Sequence, residues 1–147
     1  MSSTLTKPTA RLALEAATAA DLMTGNPVSL EAGATVPQAT ALLTDRGINA
    51  APVIDDTGRP LGVVSKADIL VHDRELSRRP GAADLDPTRV QEIMTPAVFS
   101  VTVDTPAARV IEEMVRMHVH QLFVVDQHGT LIGSVSALDV LRRLHAD

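Results

Sequence analysis

Apolar positions in this chain follow two periods in a fixed order, and the order is played twice. Residues 27–30 form a short apolar stretch that predicts a strand. Val36, Ala39 and Leu43 then recur at three- and four-residue spacing, which predicts an amphipathic helix over 36–46. Two apolar runs rich in Val and Ile, 51–54 and 61–65, read as paired strands. A closing helix starts at Ser65 and carries Ile69 and Leu70 on one face. The same series returns as strand 98–101, helix 106–117, strands 122–125 and 131–136, and a helix from Ser136 carrying Val140, Leu141 and Leu144. The predicted plan is β-α-β-β-α, twice, in the α/β class of α+β type.

The two copies register without a gap at an offset of 71 positions, from Met23-Thr24 to Met94-Thr95. Asp55-Asp56-Thr57-Gly58 falls on Asp126-Gln127-His128-Gly129, and the run from Gly62 to Asp68 falls on Gly133 to Asp139. Identities sit at turns and caps, whereas the apolar positions drift among Val, Ile, Leu, Met and Ala. What repeats is therefore a structure. Two copies are too few for a solenoid, so one pseudo-symmetric domain is expected. Asp at the start and Gly at the end suit the hairpin turns. Thr105 is expected as an N-cap with Pro106 at the first helical position. Gly47 ends the first long helix at a left-handed cap, a conformation that His118 must reach at some steric cost.

The flanks divide the chain further. Residues 1–19 are expected to hold a loose tail and a lead-in helix, because Arg11-Leu12-Ala13-Leu14-Glu15-Ala16-Ala17 is built almost wholly from strong helix formers. The repeats then occupy 20–71 and 90–147, joined by a charged linker, 72–89, that Pro80-Gly81 breaks.

Composition narrows the chemistry. A chain of 147 residues with no Cys has no thiolate metal site, thiol nucleophile or disulfide. The net charge of −5, with two Phe and no Tyr or Trp, argues against a nucleic-acid partner, which wants a basic face and stacking platforms. If a nucleotide binds, aliphatic side chains and backbone must sandwich its base. No apolar run approaches the ~20 residues that span a bilayer, and the N-terminus lacks a secretory pattern. No membrane association and a cytoplasmic location are the expectations.

The candidate chemistry sits in Ser65-x-x-Asp68 and Ser136-x-x-Asp139. In each, Ser can cap the helix while Asp reaches back, a capping box. An ionised carboxylate only accepts hydrogen bonds, so it also suits the diol of a ribose. The adjacent helix N-terminus offers free N–H groups to a phosphate. The two roles are compatible. A Gly-x-Ser-x-Gly elbow is missing around either Ser, and no second acid is paired for acid–base work, so catalysis is not expected. His118-x-His120 with His128 has strand spacing but no carboxylate to complete a metal set, and no metal is expected.

Met-Thr, a short strand, a helix, x-Pro-Val-hydrophobic-Asp, Gly, and Gly-hydrophobic-hydrophobic-Ser-x-x-Asp together resemble the cystathionine-β-synthase (CBS) motif, and two in tandem resemble a Bateman module. The resemblance covers about residues 20–70 and 90–144. It implies two motifs packed by their sheets about a pseudo-twofold axis, with two clefts for adenosine-containing ligands. In the family, the positions of Ser65, Asp68, Ser136 and Asp139 hold ribose and phosphate. His120 stands where related modules place a phosphate-contacting base, and its counterpart Asn49 is neutral, so the second cleft is expected to favour phosphate. Lys66, Arg142 and Arg143 are further cations. Val28 and Phe99, matched in the two first strands, complete the candidate ligand set. Phe123 replaces the proline that Pro52 supplies in the first copy, and can stack on a base or fill the core. The implied function is a non-catalytic regulatory module that senses AMP, ADP or ATP. It would need no cofactor, form a homodimer through its helix faces and modulate an unidentified protein. The alternatives are a constitutive dimeric scaffold with empty clefts, or a binder of S-adenosylmethionine, NAD or a metal.

Overall fold

The structure is a computed structural model that describes residues 12–78 and 86–146. The chain opens with β1 (Leu12–Leu14), α1 (Ala19–Leu22) and β2 (Thr24–Gly25). The first repeat continues as β3 (Leu30–Glu31), α2 (Val36–Arg46), β4 (Ala50–Ile54), β5 (Pro60–Ser65) and α3 (Lys66–Leu76). The second consists of α4 (Val90–Ile93), β6 (Ser100–Thr102), α5 (Ala107–Met117), β7 (Gln121–Val125), β8 (Leu131–Ser136), α6 (Ala137–Leu141) and β9 (Leu144–Ala146).

Local chemistry explains most of these elements. Thr35 Oγ1 accepts from the Gln38 amide at 3.3 Å while Gln38 Oε1 accepts from the Thr35 amide at 2.9 Å, a reciprocal cap for α2. Gly47 closes that helix with φ 62°, and His118 closes α5 with φ 54°, one of two non-glycine residues held at positive φ among those described. In both hairpins the Asp carboxylate accepts two turn amides. Asp55 takes those of Thr57 and Arg59 at 2.8 and 3.0 Å, and Asp126 those of His128 and Thr130 at the same distances. Gly58 and Gly129 complete the turns at φ 86° and 82°.

Three sheets result. In the first repeat β3 runs parallel to β4, which pairs antiparallel with β5. In the second, β6 runs parallel to β7, which pairs with β8. The fourth strand of that second sheet is β2, so the Met-Thr segment that opens the first repeat edges the sheet of the second. The exchange is reciprocal. Thr95, from the second repeat, exchanges two backbone hydrogen bonds with Val63 of β5, at 2.8 and 2.9 Å.

The short helices cross in the same way. Ala19 and Leu22 of α1 are buried with Ala107, Val110, Leu122 and Val135 of the second repeat. Val90 of α4 is buried with Ala39, Leu43, Val53 and Val64 of the first. Each core therefore needs a lead-in from the other repeat, and neither unit of the sequence is a self-sufficient unit in space. The hairpin tips also meet, with Arg59 Nε donating to the His128 carbonyl at 2.9 Å and the Leu131 amide to the Gly58 carbonyl at 2.9 Å.

Four local expectations are corrected. The lead-in over 12–14 is a strand, not a helix: β1 pairs antiparallel with β9. Helix propensity is a weak prior, and a partner strand from the far end of the chain overrides it. For the same reason Leu144 lies on β9 instead of the closing helix face, since α6 stops at Leu141. Thr105 does not cap α5. Pro106 is the cap residue, and the Thr105 hydroxyl turns back to accept from the Thr102 amide at 3.1 Å. The first strands also begin later than expected, at Leu30 and Ser100. Pro80-Gly81 lies outside the described residues.

Candidate functional site

Both Ser-x-x-Asp pairs stand where a hairpin strand turns into a helix. The Ser65 amide and hydroxyl each donate to Asp68 Oδ2 at 2.9 Å, and the Asp68 amide donates back to Ser65 Oγ at 3.2 Å. The Ser136 amide donates to Asp139 Oδ2 at 2.8 Å, and the Asp139 amide to Ser136 Oγ at 3.1 Å. Both are complete capping boxes. One carboxylate oxygen of each Asp thus holds its own helix start, which leaves the other oxygen for a second partner.

The other oxygens differ. Asp139 Oδ1 accepts from the hydroxyl of Thr24, on the exchanged strand, at 3.3 Å, and Arg142 stands 3.7 Å away. The Asp139 side chain is 12% exposed and that of Arg142 67%, so the guanidinium contact is a solvated one. Among the described residues no hydrogen bond reaches Asp68 Oδ1.

The remaining candidates separate into groups. Asn49 and His120 are exposed, and their carbonyls accept from the first helical amides, Lys66 at 2.9 Å and Ala137 at 3.0 Å. His120 also lines an apolar cavity of about 520 Å³ with Met114, Val115, Val140 and Leu141, between α5 and α6. Lys66 lines the pseudo-symmetric groove of about 190 Å³ between α2 and α3. Neither cavity includes Asp68 or Asp139, so Lys66 and His120 border the helix faces as well as the helix starts. Arg143 is exposed beside the β1–β9 ribbon, where its carbonyl accepts from the Glu15 amide at 2.8 Å.

Val28 is half-buried and Phe99 is 42% exposed, with its carbonyl accepting from the Phe123 amide at 2.9 Å. The matching bond is impossible in the first repeat, where Pro52 has no N–H. Phe123 itself is 5% exposed and packs in the interior, the core alternative of its two sequence readings. Among the described residues no three His, Asp or Glu side chains gather into a metal set. Nor is any helix there long and apolar enough to cross a membrane.

Two features escaped the sequence reading. Thr24 reaches Asp139 only because its strand crosses to the other repeat, although the repeated Met-Thr pair marked the segment. Gly62 and Gly133 make that crossing possible. A Cβ on Gly62 would collide with the Thr95 carbonyl oxygen and lie 2.9 Å from Met94 Sδ, and one on Gly133 would lie 2.6 Å from Met23 Sδ.

Known proteins match this arrangement. The magnesium transporter MgtE of Thermus thermophilus is 34% identical over 134 residues, covering 88% of this chain and 27% of the transporter. The chain thus spans about a quarter of that relative's length. The crystal structure of the cytosolic domain of the Mg2+ channel MgtE in complex with ATP superposes with TM-score 0.70 at 34% identity, covering 88% of this chain and 49% of that one. The crystal structure of CBSX2 in complex with AMP superposes with TM-score 0.72 at 30% identity, covering 86% of this chain and 95% of that one. The model of the CBS domain matches twice, over residues 19–75 and 90–146. With both halves matched, two β-α-β-β-α units and their lead-ins exchanged about a pseudo-twofold axis, the chain belongs to the CBS domain family and is a tandem CBS pair.

Proposed function

We propose that this CBS pair is a non-catalytic regulatory module that binds an adenosine-containing ligand, AMP, ADP or ATP, and modulates a partner protein. The observation that carries the reading is the repeated carboxylate at a helix start, with one oxygen committed to the cap. Asp139 stands beside the strand exchanged from the other repeat, and Asp68 holds the matching place in the first repeat. A ribose diol donates to such a carboxylate, and the helix amides, the Lys66 ammonium and the His120 ring N–H suit phosphate. Val28 and Phe99 offer apolar surface for the base. The complexes of CBSX2 with AMP and of MgtE with ATP support the ligand class. The motifs would be 20–71 and 90–147 with 72–89 as linker, in the cytoplasm, and no resident cofactor is needed.

A homodimer belongs to the same proposal. Leu70 and Val71 on α3, Val115 on α5, and Leu138 and Leu141 on α6 are 49–69% exposed. They flank the two apolar grooves. Clustered large apolar side chains on a small domain mark an interaction surface. Ligand-dependent preference for one arrangement of the motifs or of the dimer would transmit the signal.

Calorimetric titration with AMP, ADP, ATP, S-adenosylmethionine and NAD tests the reading. An adenine nucleotide should bind, and Asp68→Asn with Asp139→Asn together should weaken it by roughly ten- to a hundredfold, the usual worth of hydrogen bonds to a charged group. The unliganded melting temperature should hold, because Asn keeps one acceptor oxygen for the cap. A folded dimer that binds none of the five ligands would leave a constitutive scaffold in place of a sensor.

A further inference from the structure

The two clefts are matched in sequence but not in structure, and the difference lies in how firmly the exchanged strand is tied. On the second repeat Thr24 and Gly25 both pair, with Ser134 and Gly133, and the Asn26 amide adds a bond to the Ile132 carbonyl at 3.3 Å. On the first repeat the pairing stops at one residue, Thr95 with Val63. In an antiparallel ladder the bonded pairs alternate, so the counterpart of the Asn26 bond would come from Ala97, and among the described residues none is present. The strand therefore leaves the sheet after a single paired residue.

The carboxylates differ as well. Thr24 donates its hydroxyl to Asp139 Oδ1, at 3.3 Å. Thr95 occupies the matching place in the first repeat, yet no hydrogen bond from it to Asp68 is present among the described residues. A ribose at Asp139 must displace the Thr24 hydroxyl to use both oxygens. A ribose at Asp68 finds Oδ1 free. The helices add to the contrast, since Asp68 opens an eleven-residue helix and Asp139 a five-residue one. A longer helix carries the fuller terminal dipole toward a phosphate.

Resting on the nucleotide reading above, we infer that Thr24 is a specificity-determining residue that holds the Asp139 cleft in reserve, so that the Asp68 cleft takes ligand first. This reverses the order that His120 alone suggests. The sensor then has a high-affinity site and a second site that fills only at higher nucleotide levels, and breaking the Thr24–Asp139 contact loosens the strand that joins the two repeats.

AMP titration of the unmutated protein, followed by amide NMR, reads the order directly. The amides of Ser65 and Asp68 should move at lower AMP than those of Ser136 and Asp139. In calorimetry, Asp68→Asn should remove the tighter phase while Asp139→Asn leaves it within about threefold. Thr24→Val should tighten the weaker phase by roughly three- to tenfold, the worth of one long, solvent-exposed hydrogen bond no longer displaced. Equal or reversed filling in the unmutated protein overturns the inference and leaves nucleotide binding intact, as does a Thr24→Val protein whose second phase is unchanged or weaker. No binding of AMP, ADP or ATP by the unmutated protein overturns both.

Discussion

Replacing Gly62 by Ala tests the exchanged architecture at its tightest point. Gly62 is buried opposite Val53, and the crossing segment of the second repeat runs directly over it. A Cβ there would meet the Thr95 carbonyl oxygen, the Pro96 Cα at 3.1 Å and Met94 Sδ at 2.9 Å. Two of these three atoms are backbone, held by the paired bonds between Thr95 and Val63 at 2.8 and 2.9 Å. The protein must either keep the strain, at about 1–3 kcal/mol, or release the strand and lose two hydrogen bonds of about 0.5–1.5 kcal/mol each. Restricting the unfolded chain returns about 0.4–1 kcal/mol. A net loss of about 1–2 kcal/mol follows, or roughly 2–8 °C of melting temperature at about 2–4 °C per kcal/mol.

Gly133→Ala is the control, because it occupies the same place in the second repeat. Its first neighbour is Met23 Sδ at 2.6 Å, the end of a flexible side chain, and the Thr24 carbonyl oxygen is no closer than 3.1 Å. Met repacks at little cost, so a loss of about 1 kcal/mol or less is expected, allowing for mild overpacking. Scanning calorimetry of the two variants and the parent measures the difference. If Gly133→Ala is as destabilising as Gly62→Ala, or Gly62→Ala melts with the parent, the strand crossing does not hold the halves together as described.

Acid should weaken the fold through its turns. The Asp55 carboxyl is held below its ordinary value by the Thr57 hydroxyl and then the Arg59 amide, and Asp126 by the Thr130 and His128 amides. A carboxylate lowered in the folded state adds stability above its unfolded value of about 3.9, and that stability is lost as pH falls through the folded value. The melting temperature should stay nearly flat from about pH 7 to 5 and drop below about pH 4, and Asp55→Asn should shrink the drop; an equal drop in that variant would refute the assignment. On the helix face, Leu141→Asp should convert a dimer to a monomer by light scattering at tens of micromolar while the fold survives, because Leu141 is 60% exposed. A parent that is already monomeric, or a variant that stays dimeric, would refute the interface.

The sequence by itself determined what depends on near neighbours. Asp55 and Gly58 specify a hairpin through turn amides and a positive φ, Thr35 and Gln38 cap α2 from three residues apart, and Ser65-x-x-Asp68 does the same for α3. Such contacts form wherever the segment lies, so an ungapped repeat of them announced two copies of one unit, each with a carboxylate at a helix start. Only the tertiary structure decided how the units share their parts. Leu12-Ala13-Leu14 has helix propensity, yet pairing with Leu144–Ala146 makes it a strand, because the fold brings these two distant segments together. Thr24 looked like part of the first repeat and contacts Asp139 of the second. Asp68 and Asp139 hold matching places in the sequence, and only the exchanged strand gives one of them a Thr hydroxyl as a second partner. Strand pairing of high sequence separation leaves no local periodicity to read, since either repeat offers an equally apolar edge and only packing of both cores together selects the crossed arrangement.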